Sequence, residues 1–159
     1  MYKVRPIELQ DNFALAQLIR SVFIEFEIDK PGTVFTDPST DNLYQLFLTK
    51  GANYYVVTYE NEVVGGCGYF PTDGLPPFYA ELVKFYISPA HRSNGLGHLL
   101  LEKIIEETRV VGYQYLYLET FPELSRALSI YLRKGFVHID SPLGHSGHFA
   151  CTVWMKKKL

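Results

Sequence analysis

A glycine-containing turn between a β-rich run and a long amphipathic segment offers the most specific chemistry in the sequence. It reads Arg92-Ser93-Asn94-Gly95-Leu96-Gly97-His98. Glycines at 95 and 97 lack the Cβ atoms that would keep a ligand away from the backbone, and the free N–H groups of a helix start point outward. With the positive end of the helix dipole and the charge of Arg92, these donors predict an anion site, for which phosphate is the usual occupant.

The spacing of the glycines excludes two common nucleotide-binding motifs. A dinucleotide fingerprint requires glycine at the position of Leu100, and a Walker A loop requires Gly-Lys-Ser/Thr five residues after its first glycine. Neither glycine of the turn meets these requirements. A tight strand-to-helix turn without a ligand is the alternative that the glycine pair alone leaves open.

Strands and helices must position this turn, and their order predicts the fold. Period-two runs indicate strands, and apolar residues at helical spacing indicate helices. A hairpin turn at Glu60-Asn61-Glu62 gives antiparallel neighbours, whereas the strand-helix-strand order in the middle requires a parallel pair with a right-handed crossover. We therefore expect a mixed α/β (α+β) fold with a sheet of about six to seven strands and helices on both faces. The predicted strands are 2–8, 54–59, 63–70, 79–87, 113–119, 136–139 and 149–155, and the predicted helices are 13–26, 41–49, 96–111 and 123–134.

Composition narrows the class of protein. The 159 residues are 47% hydrophobic and 20% charged, enough to bury a core without disulfides, and the formal charge of -2 provides no general field for nucleic acid or an anionic membrane. Cys67 and Cys151 suit a reduced compartment, and no leader or membrane-spanning pattern is apparent. We expect residues 1–159 to form one cytoplasmic domain without nucleic-acid or membrane partners; a homodimer is compatible with this interpretation.

Three motifs, in order, resemble those of the GNAT acyltransferases. The turn at 92–97 is similar to their R/Q-x-x-G-x-G/A pyrophosphate loop, residues 81–89 to their central strand, and residues 127–136 to their A-x-x-x-Y-x-x-x-G-F segment. The element order is similar to the GNAT fold over nearly the whole chain. The resemblance implies that a splayed pair of parallel strands forms an acyl-CoA cleft.

This resemblance implies acetyl-CoA as co-substrate and no metal. The pantetheine arm would pair with the backbone of Phe85, Tyr86 and Ile87, and the pyrophosphate would lie on the amides of residues 93–98, beside Arg92. One departure is Leu124, which occupies the position where the family often has an Asn that holds the cofactor arm. The implied cofactor-binding residues are Phe85, Tyr86, Ile87, Arg92, Ser93, Asn94, Gly95, Leu96, Gly97 and His98.

Two carboxylates are candidates for the general base. An amine acceptor has a pKa near 10.4 and must lose a proton before acyl transfer, which a carboxylate can remove when burial raises its own pKa toward neutrality. Glu81 lies where some GNAT members have a base, and Glu119 lies at the end of the neighbouring parallel strand. We predict Glu81 as the base and Glu119 as a second base or acceptor-orienting group. Without a bulge, residues 81, 83, 85 and 87 would share one face of the strand.

Tyr131 is the candidate general acid. A tyrosine stays protonated at pH 7 and can donate to a departing thiolate, and its place in the family-like helix makes it the leading candidate. A packing role on an amphipathic helix is the alternative. A backbone N–H of the central strand would hold the oxyanion if a bulge frees it from the ladder.

The histidine- and cysteine-containing tail offers weaker signals. His145, His148 and Cys151 lack the paired spacing of a zinc site, and neither cysteine has an obvious His and acid pair. For His145 and His148, loop hydrogen bonding is the better explanation, with a substrate wall as the alternative, and the cysteines suit small core residues.

The resulting prediction is an N-acetyltransferase that moves acetyl directly from acetyl-CoA to a primary amine; the alternative is a non-catalytic acyl-CoA-binding sensor. The resemblance implies that many of the aromatic residues, which make up 15% of the chain, lie around the cleft. By it, Phe85, Tyr86, Tyr115, Tyr117 and Tyr131 flank the cofactor, and Phe23, Phe26 and Phe35 lie on segments that wall the acceptor side in the family. Rings in these places predict a small, partly apolar acceptor pocket, and therefore a small-molecule amine over a charged protein tail.

Overall fold

The structure is a computed structural model that describes all 159 residues. The chain forms seven strands and four α-helices, with short 3-10 helices at Leu9–Asp11, Pro38–Asp41 and Pro89–His91. The elements are β1 (Tyr2–Pro6), α1 (Asn12–Glu25), α2 (Leu43–Leu46), β2 (Asn53–Tyr59), β3 (Glu62–Phe70), β4 (Tyr79–Ile87), α3 (Leu96–Val111), β5 (Tyr115–Thr120), α4 (Ser125–Arg133), β6 (Val137–Ile139) and β7 (Val153–Lys158).

All seven strands form one mixed sheet in the order β1-β2-β3-β4-β5-β7-β6. Only β4 and β5 are parallel, and they pair only over Tyr79–Glu81 and Tyr115–Tyr117. Both strands continue beyond this pairing, β4 to Ile87 and β5 to Thr120. The sheet therefore splits at their carboxyl ends, which confirms the predicted mixed fold with a splayed parallel pair.

An apolar core lies on each face of the sheet. One packs α3 and α4 against β4 and β5, and the other packs α1 and α2 against β2. None of the helices combines the length and apolar character needed to cross a bilayer. Fully buried members of the first core include Leu100, Ile104 and Leu116, and those of the second include Leu15, Ile19, Leu43 and Tyr54.

A β-bulge interrupts β4 beside the split. Gly66 of β3 faces Tyr86 and Gly68 faces Val83, so Lys84 and Phe85 together oppose the single residue Cys67. Lys84 adopts the left-handed conformation with φ 53°. A bulge of this kind bends the strand and leaves one residue outside the regular ladder.

A buried tyrosine holds this bulge in place. The Tyr54 hydroxyl donates a 2.7 Å hydrogen bond to the Lys84 carbonyl oxygen. The ring of Tyr54 crosses β3 at Gly66, where an added Cβ would lie 2.5 Å from the ring. Glycine in β3 therefore admits the aromatic side chain that fixes the central strand.

The bulge also changes which side chains share a face. Val83 and Tyr86 pack with the α1 core, whereas Phe85 and Ile87 pack with the α3 core. The regular alternation of 81, 83, 85 and 87 therefore ends at Val83, because the extra residue reverses the faces that follow it.

Two predicted elements differ from the structure. The helix expected at 41–49 is the single turn Leu43–Leu46, and the strand expected at 149–155 is displaced to Val153–Lys158. The final lysines are therefore not a free solvated end: Lys156 and Lys157 pair with Tyr117 and Leu116 of β5. Backbone pairing with β5 on one side and β6 on the other fixes β7, while the long lysine stems carry their charges toward water.

Candidate active site

Two hollows open where β4 and β5 diverge, and we call them the open cleft and the inner cavity. The open cleft has a volume of about 660 Å³ and lies between the turn at 92–98 and α4. The inner cavity has a volume of about 50 Å³ and contains Glu81 and Glu119. They share a wall made by Phe85, Tyr86, Leu124 and Ala127.

The glycine turn forms one side of the open cleft. Gly95 is the N-cap of α3 with φ 75°, a left-handed conformation that places the following amides at the helix start. Asn94 differs from its neighbours, because its side-chain amide donates to the carbonyl oxygens of His91 and Arg92 and so stabilises the turn itself. The other predicted cofactor residues all line the cleft: Phe85, Tyr86, Ile87, Arg92, Ser93, Gly95, Leu96, Gly97 and His98.

Gly97 permits close packing within the protein. A Cβ there would lie 2.9 Å from Ile130 Cδ1 and 3.2 Å from Phe85 Cζ. The start of α3 therefore approaches α4 and β4 closely, which shapes the cleft wall.

Arg92 lines the cleft with its charge already paired. Its guanidinium donates two 2.8 Å hydrogen bonds to the Glu25 carboxylate, and its Nε donates to the Ile87 carbonyl oxygen at 3.1 Å. It therefore ties the turn to α1. Two further cations on α4, Arg126 and Arg133, also line the cleft, and sequence reasoning did not single them out.

Glu81 is a buried carboxylate in the inner cavity. Its residue is 5% exposed, and the Thr72 hydroxyl donates a 2.7 Å hydrogen bond to Oε1. Burial raises the pKa of Glu81 to about 7, with the negative charge of Glu119 adding to the rise and the Thr72 hydrogen bond and Lys84 opposing it. At neutral pH this carboxylate is poised between its two protonation states, as a general base requires.

Glu119 lies in the same cavity in a different environment. The Tyr117 hydroxyl donates a 2.6 Å hydrogen bond to Oε2, and the Ser146 hydroxyl donates to Oε1. Both carboxylate oxygens are thus engaged by hydroxyl donors. This arrangement suits an orienting group better than a group that collects a proton.

Tyr131 lines the inner cavity beside the shared wall. Its ring centroid lies 5.8 Å from that of Phe85 and 5.7 Å from that of Phe136. Burial raises the pKa of its hydroxyl well above the ordinary value, so it stays protonated over the working range of pH.

The segment 140–152, between β6 and β7, covers the inner cavity, and we call it the cover segment. It is anchored at both ends of the cavity: His145 N–H donates to the Asp73 carbonyl oxygen at 2.7 Å, and Ala150 N–H donates to that of Gly32 at 3.0 Å. Leu143 N–H donates to the Tyr117 hydroxyl oxygen at 3.0 Å. These contacts hold the cover segment over the inner cavity.

A side-chain hydrogen bond completes the cover. His148 Nε2 lies 2.9 Å from Asp37 Oδ2. Burial alone would raise the pKa of Asp37, but hydrogen bonds from His148 and from Ser39 outweigh it and lower that pKa to about 2. Asp37 is therefore a carboxylate at any working pH.

The cysteines and the histidines of the cover segment are engaged by burial or by neighbouring groups. Burial raises the pKa of the Cys67 thiol, and it raises the pKa of Cys151 to about 12, so neither is a thiolate near neutral pH. No three His, Cys, Asp or Glu side chains are grouped as metal ligands. His148 is engaged by Asp37, and His145 packs against Gly74.

The aromatic residues only partly follow the expectation. Phe23 lines the inner cavity, with Phe35 packed on it at a centroid distance of 6.5 Å, whereas Phe26 lines the open cleft. Tyr115 stacks on Tyr79 at 4.6 Å, away from both hollows. Its position at the start of β5, where the parallel strands still pair, explains this difference.

Sequence reasoning missed two polar groups of the cavity. Lys84 lines it directly, and Thr72 reaches it through Glu81. A lysine in the middle of the apolar run Leu82-Val83-Lys84-Phe85 was the available signal, because a charge rarely interrupts a central strand without a role. Thr72 gave no signal, since it lies in a turn far from the motifs.

Comparison with protein families gives one clear match. The model of the acetyltransferase (GNAT) family matches residues 17–136. The chain is 43% identical over 158 residues to the uncharacterized N-acetyltransferase YjgM of Escherichia coli (strain K12), covering 98% of this chain and 94% of that protein. It is 30% identical over 156 residues to an IAA acetyltransferase of Azospirillum brasilense, covering 98% and 95%.

Solved structures show the same fold at low sequence identity. A GNAT-family acetyltransferase from Staphylococcus aureus Mu50 superimposes with a TM-score of 0.85 at 20% identity, covering 100% of this chain and 99% of that chain. YncA from Salmonella typhimurium, solved with its cofactor acetyl-CoA, gives a TM-score of 0.76 at 18% identity, covering 100% and 94%.

Proposed function

Because this chain belongs to the GNAT acetyltransferase family and is an acetyl-CoA-dependent acetyltransferase, we propose that its acceptor is the primary amine of a small molecule. Glu81 acts as general base and Tyr131 as general acid in direct transfer. The observation that carries the proposal is the buried Glu81 carboxylate in a small, covered cavity beside the open cleft.

The open cleft has the chemistry that acetyl-CoA requires. Backbone amides at the start of α3, with the cations Arg126 and Arg133, match a pyrophosphate, and the apolar wall at Phe85 and Ile130 matches the pantetheine arm. The bound co-substrate supplies an activated acetyl thioester.

Glu81 takes the proton of the incoming ammonium group. Its pKa of about 7 lets it exist as the carboxylate and still accept a proton, and the Thr72 hydrogen bond orients it. Glu119, with both oxygens engaged by Tyr117 and Ser146, positions the acceptor amine.

Tyr131 donates a proton or a strong hydrogen bond to the departing thiolate. Its hydroxyl keeps its proton because burial disfavours the phenolate. The bulge at Lys84 and Phe85 interrupts the hydrogen-bond ladder between β3 and β4. A backbone N–H group freed in this way donates a hydrogen bond to the developing oxyanion.

The cover segment favours a small acceptor over a protein tail. It closes the acceptor side through contacts with Gly32, Asp37 and Asp73. An extended peptide would have to displace these contacts before its amine reached Glu81.

A thiol-release assay with acetyl-CoA tests the proposal, using a panel of small primary amines and a set of basic peptides. We expect CoA release with small amines and little with peptides. Acetylation of peptides without turnover of any small amine would contradict the small-acceptor assignment. Binding of acetyl-CoA without CoA release on any acceptor would instead support a sensor, the alternative suggested by Leu124 at the family's Asn position.

A further inference from the structure

Lys84 is a buried cation that the proposed chemistry leaves unused. Its residue is 8% exposed, and it lines the inner cavity. No carboxylate oxygen lies within 4.0 Å of its ammonium group. Its ammonium group makes no side-chain hydrogen bond within the protein. Every fully buried side-chain polar atom of the structure has a hydrogen-bond partner, so the Lys84 ammonium is not fully buried and is exposed to the inner cavity.

The neighbouring carboxylates are committed to other donors. Asp37 accepts from His148 and Ser39, and Glu81 accepts from Thr72. They influence Lys84 only over a distance: burial lowers the pKa of Lys84, while Asp37 and Glu81 oppose that fall. A buried ammonium without a close partner is costly, because buried charges are normally paired, and an anionic group of a ligand in the cavity would supply the missing partner.

The bulge directs Lys84 toward this cavity. A regular strand would place residues 81 and 84 on opposite faces, but the extra residue returns Lys84 to the α1 side, within electrostatic reach of Glu81 and Asp37. At about 3.3 Å per residue, the two backbone positions lie about 10 Å apart. A carboxylate and an ammonium thus enter one small hollow from neighbouring points of the strand.

We infer that the acceptor carries a carboxylate as well as an amine, and that Lys84 binds this carboxylate while Glu81 receives the amine. The substrate class is therefore a small amino carboxylic acid, whose side chain contacts the apolar wall of Phe23, Val34 and Phe121. This inference rests on the proposed amine acetylation and adds the second recognition group.

A matched set of acceptors tests the carboxylate directly. Leucine, leucinamide and 3-methylbutylamine share one side chain and one amine, but only leucine has the carboxylate. We expect the wild type to favour leucine over 3-methylbutylamine by about 10- to 100-fold in kcat/KM, the value of a charge-assisted hydrogen bond. The same comparison with alanine and ethylamine, and with phenylalanine and phenethylamine, covers other side-chain sizes.

Lys84→Met removes the charge and keeps the length of the stem. We expect it to abolish the preference for the carboxylate, so that the variant turns over leucine and 3-methylbutylamine with similar kcat/KM. Comparing this ratio between the wild type and Lys84→Met cancels the difference in basicity between the two amines. Lys50→Met, at an exposed position outside the site, is the control and should retain the wild-type preference.

Thermal unfolding separates recognition from structure. A lysine that served only the fold would make Lys84→Met less stable, whereas a ligand-binding lysine predicts a variant at least as stable without ligand, because an unpaired buried charge has been removed.

Product binding gives a measurement that needs no turnover. Titration calorimetry with CoA present should show N-acetyl-leucine binding at least 10-fold more tightly than N-(3-methylbutyl)acetamide, and Lys84→Met should equalise them. Acetylation of all amines without a carboxylate preference would overturn this inference and leave the proposed function intact. Failure to acetylate any small amine would contradict the proposed function, and the product titration would still decide the role of Lys84.

Discussion

The open cleft and the inner cavity lie side by side at one split in the sheet, yet they are built in opposite ways. The cleft is wide and is formed largely by one turn and the two helices that flank it. The cavity is about 50 Å³ and is assembled from β4, β5, α1, α4 and the cover segment. Glu81, Lys84 and Tyr131 of the cavity are buried, whereas the arginines of the cleft are paired or reach solvent.

In the proposed function, this difference separates binding from chemistry. Glycine and helix amides of the cleft would bind the pyrophosphate of acetyl-CoA without any change in protonation. In the cavity, burial raises the pKa of Glu81 toward neutrality, which suits a proton acceptor, and keeps the Tyr131 hydroxyl protonated. Substitutions in the two regions should therefore affect different kinetic constants.

The largest effect is expected from Glu81→Gln. Gln keeps the size of the side chain and can still accept from Thr72, but it cannot take a proton. We expect kcat/KM to fall by about 10²- to 10⁴-fold in steady-state assays of a turned-over amine. Glu119→Gln, the matched change in the same cavity, should cost less; an undiminished kcat/KM in Glu81→Gln would move the base to Glu119 or to water.

Tyr131→Phe should lower kcat by about 10²-fold with little change in the affinity for acetyl-CoA. The ring contacts with Phe85 and Phe136 remain, so only the hydroxyl is lost. The two constants can be separated by steady-state kinetics and by titration of CoA. Wild-type turnover would assign Tyr131 to packing alone.

Gly95→Ala tests the cleft side of the comparison. Its φ of 75° is unfavourable for alanine by about 1–2 kcal/mol, and relaxation of the turn should raise the KM for acetyl-CoA by about 10-fold while preserving the pH profile. Gly112→Ala, at φ 108° at the other end of α3, carries similar strain away from the cleft. If both variants raised the KM for acetyl-CoA equally, the strain would act through the stability of the fold and not through the cleft.

Asp37→Asn should have the smallest effect. It removes the charge that engages His148 and loosens the cover segment. We expect the KM of the amine to rise by about 2- to 10-fold with the KM of acetyl-CoA unchanged. A parallel rise in both constants would mean that the cover segment also supports the cleft.

The same contrast explains what the sequence could predict. The glycine turn and the helix that follows it are local, so the spacing of Gly95 and Gly97 predicted the turn and the start of α3, and the order of elements predicted the mixed sheet. The inner cavity depends on contacts between distant residues, such as His148 with Asp37 and Thr72 with Glu81. No local pattern encodes them.

Lys84 and β7 show, in physical terms, why part of the structure could not be predicted from the sequence. A bulge changes the face of every residue after it, and the Tyr54 contact that fixes the bulge reaches from β2 across β3 to β4. Lys156–Lys158 look like a solvated end, but backbone pairing with β5 outweighs their charge. In both cases tertiary contacts override the local sequence pattern.

The pH dependence of kcat/KM in wild type and in Glu81→Gln tests the central claim most directly. Because the base acts only when deprotonated, wild-type activity should rise with pH through about 7, following the pKa of Glu81. Glu81→Gln should lack this rise and retain only the dependence that belongs to the amine itself. The same inflection near pH 7 in both proteins would contradict the assignment of Glu81 as the base.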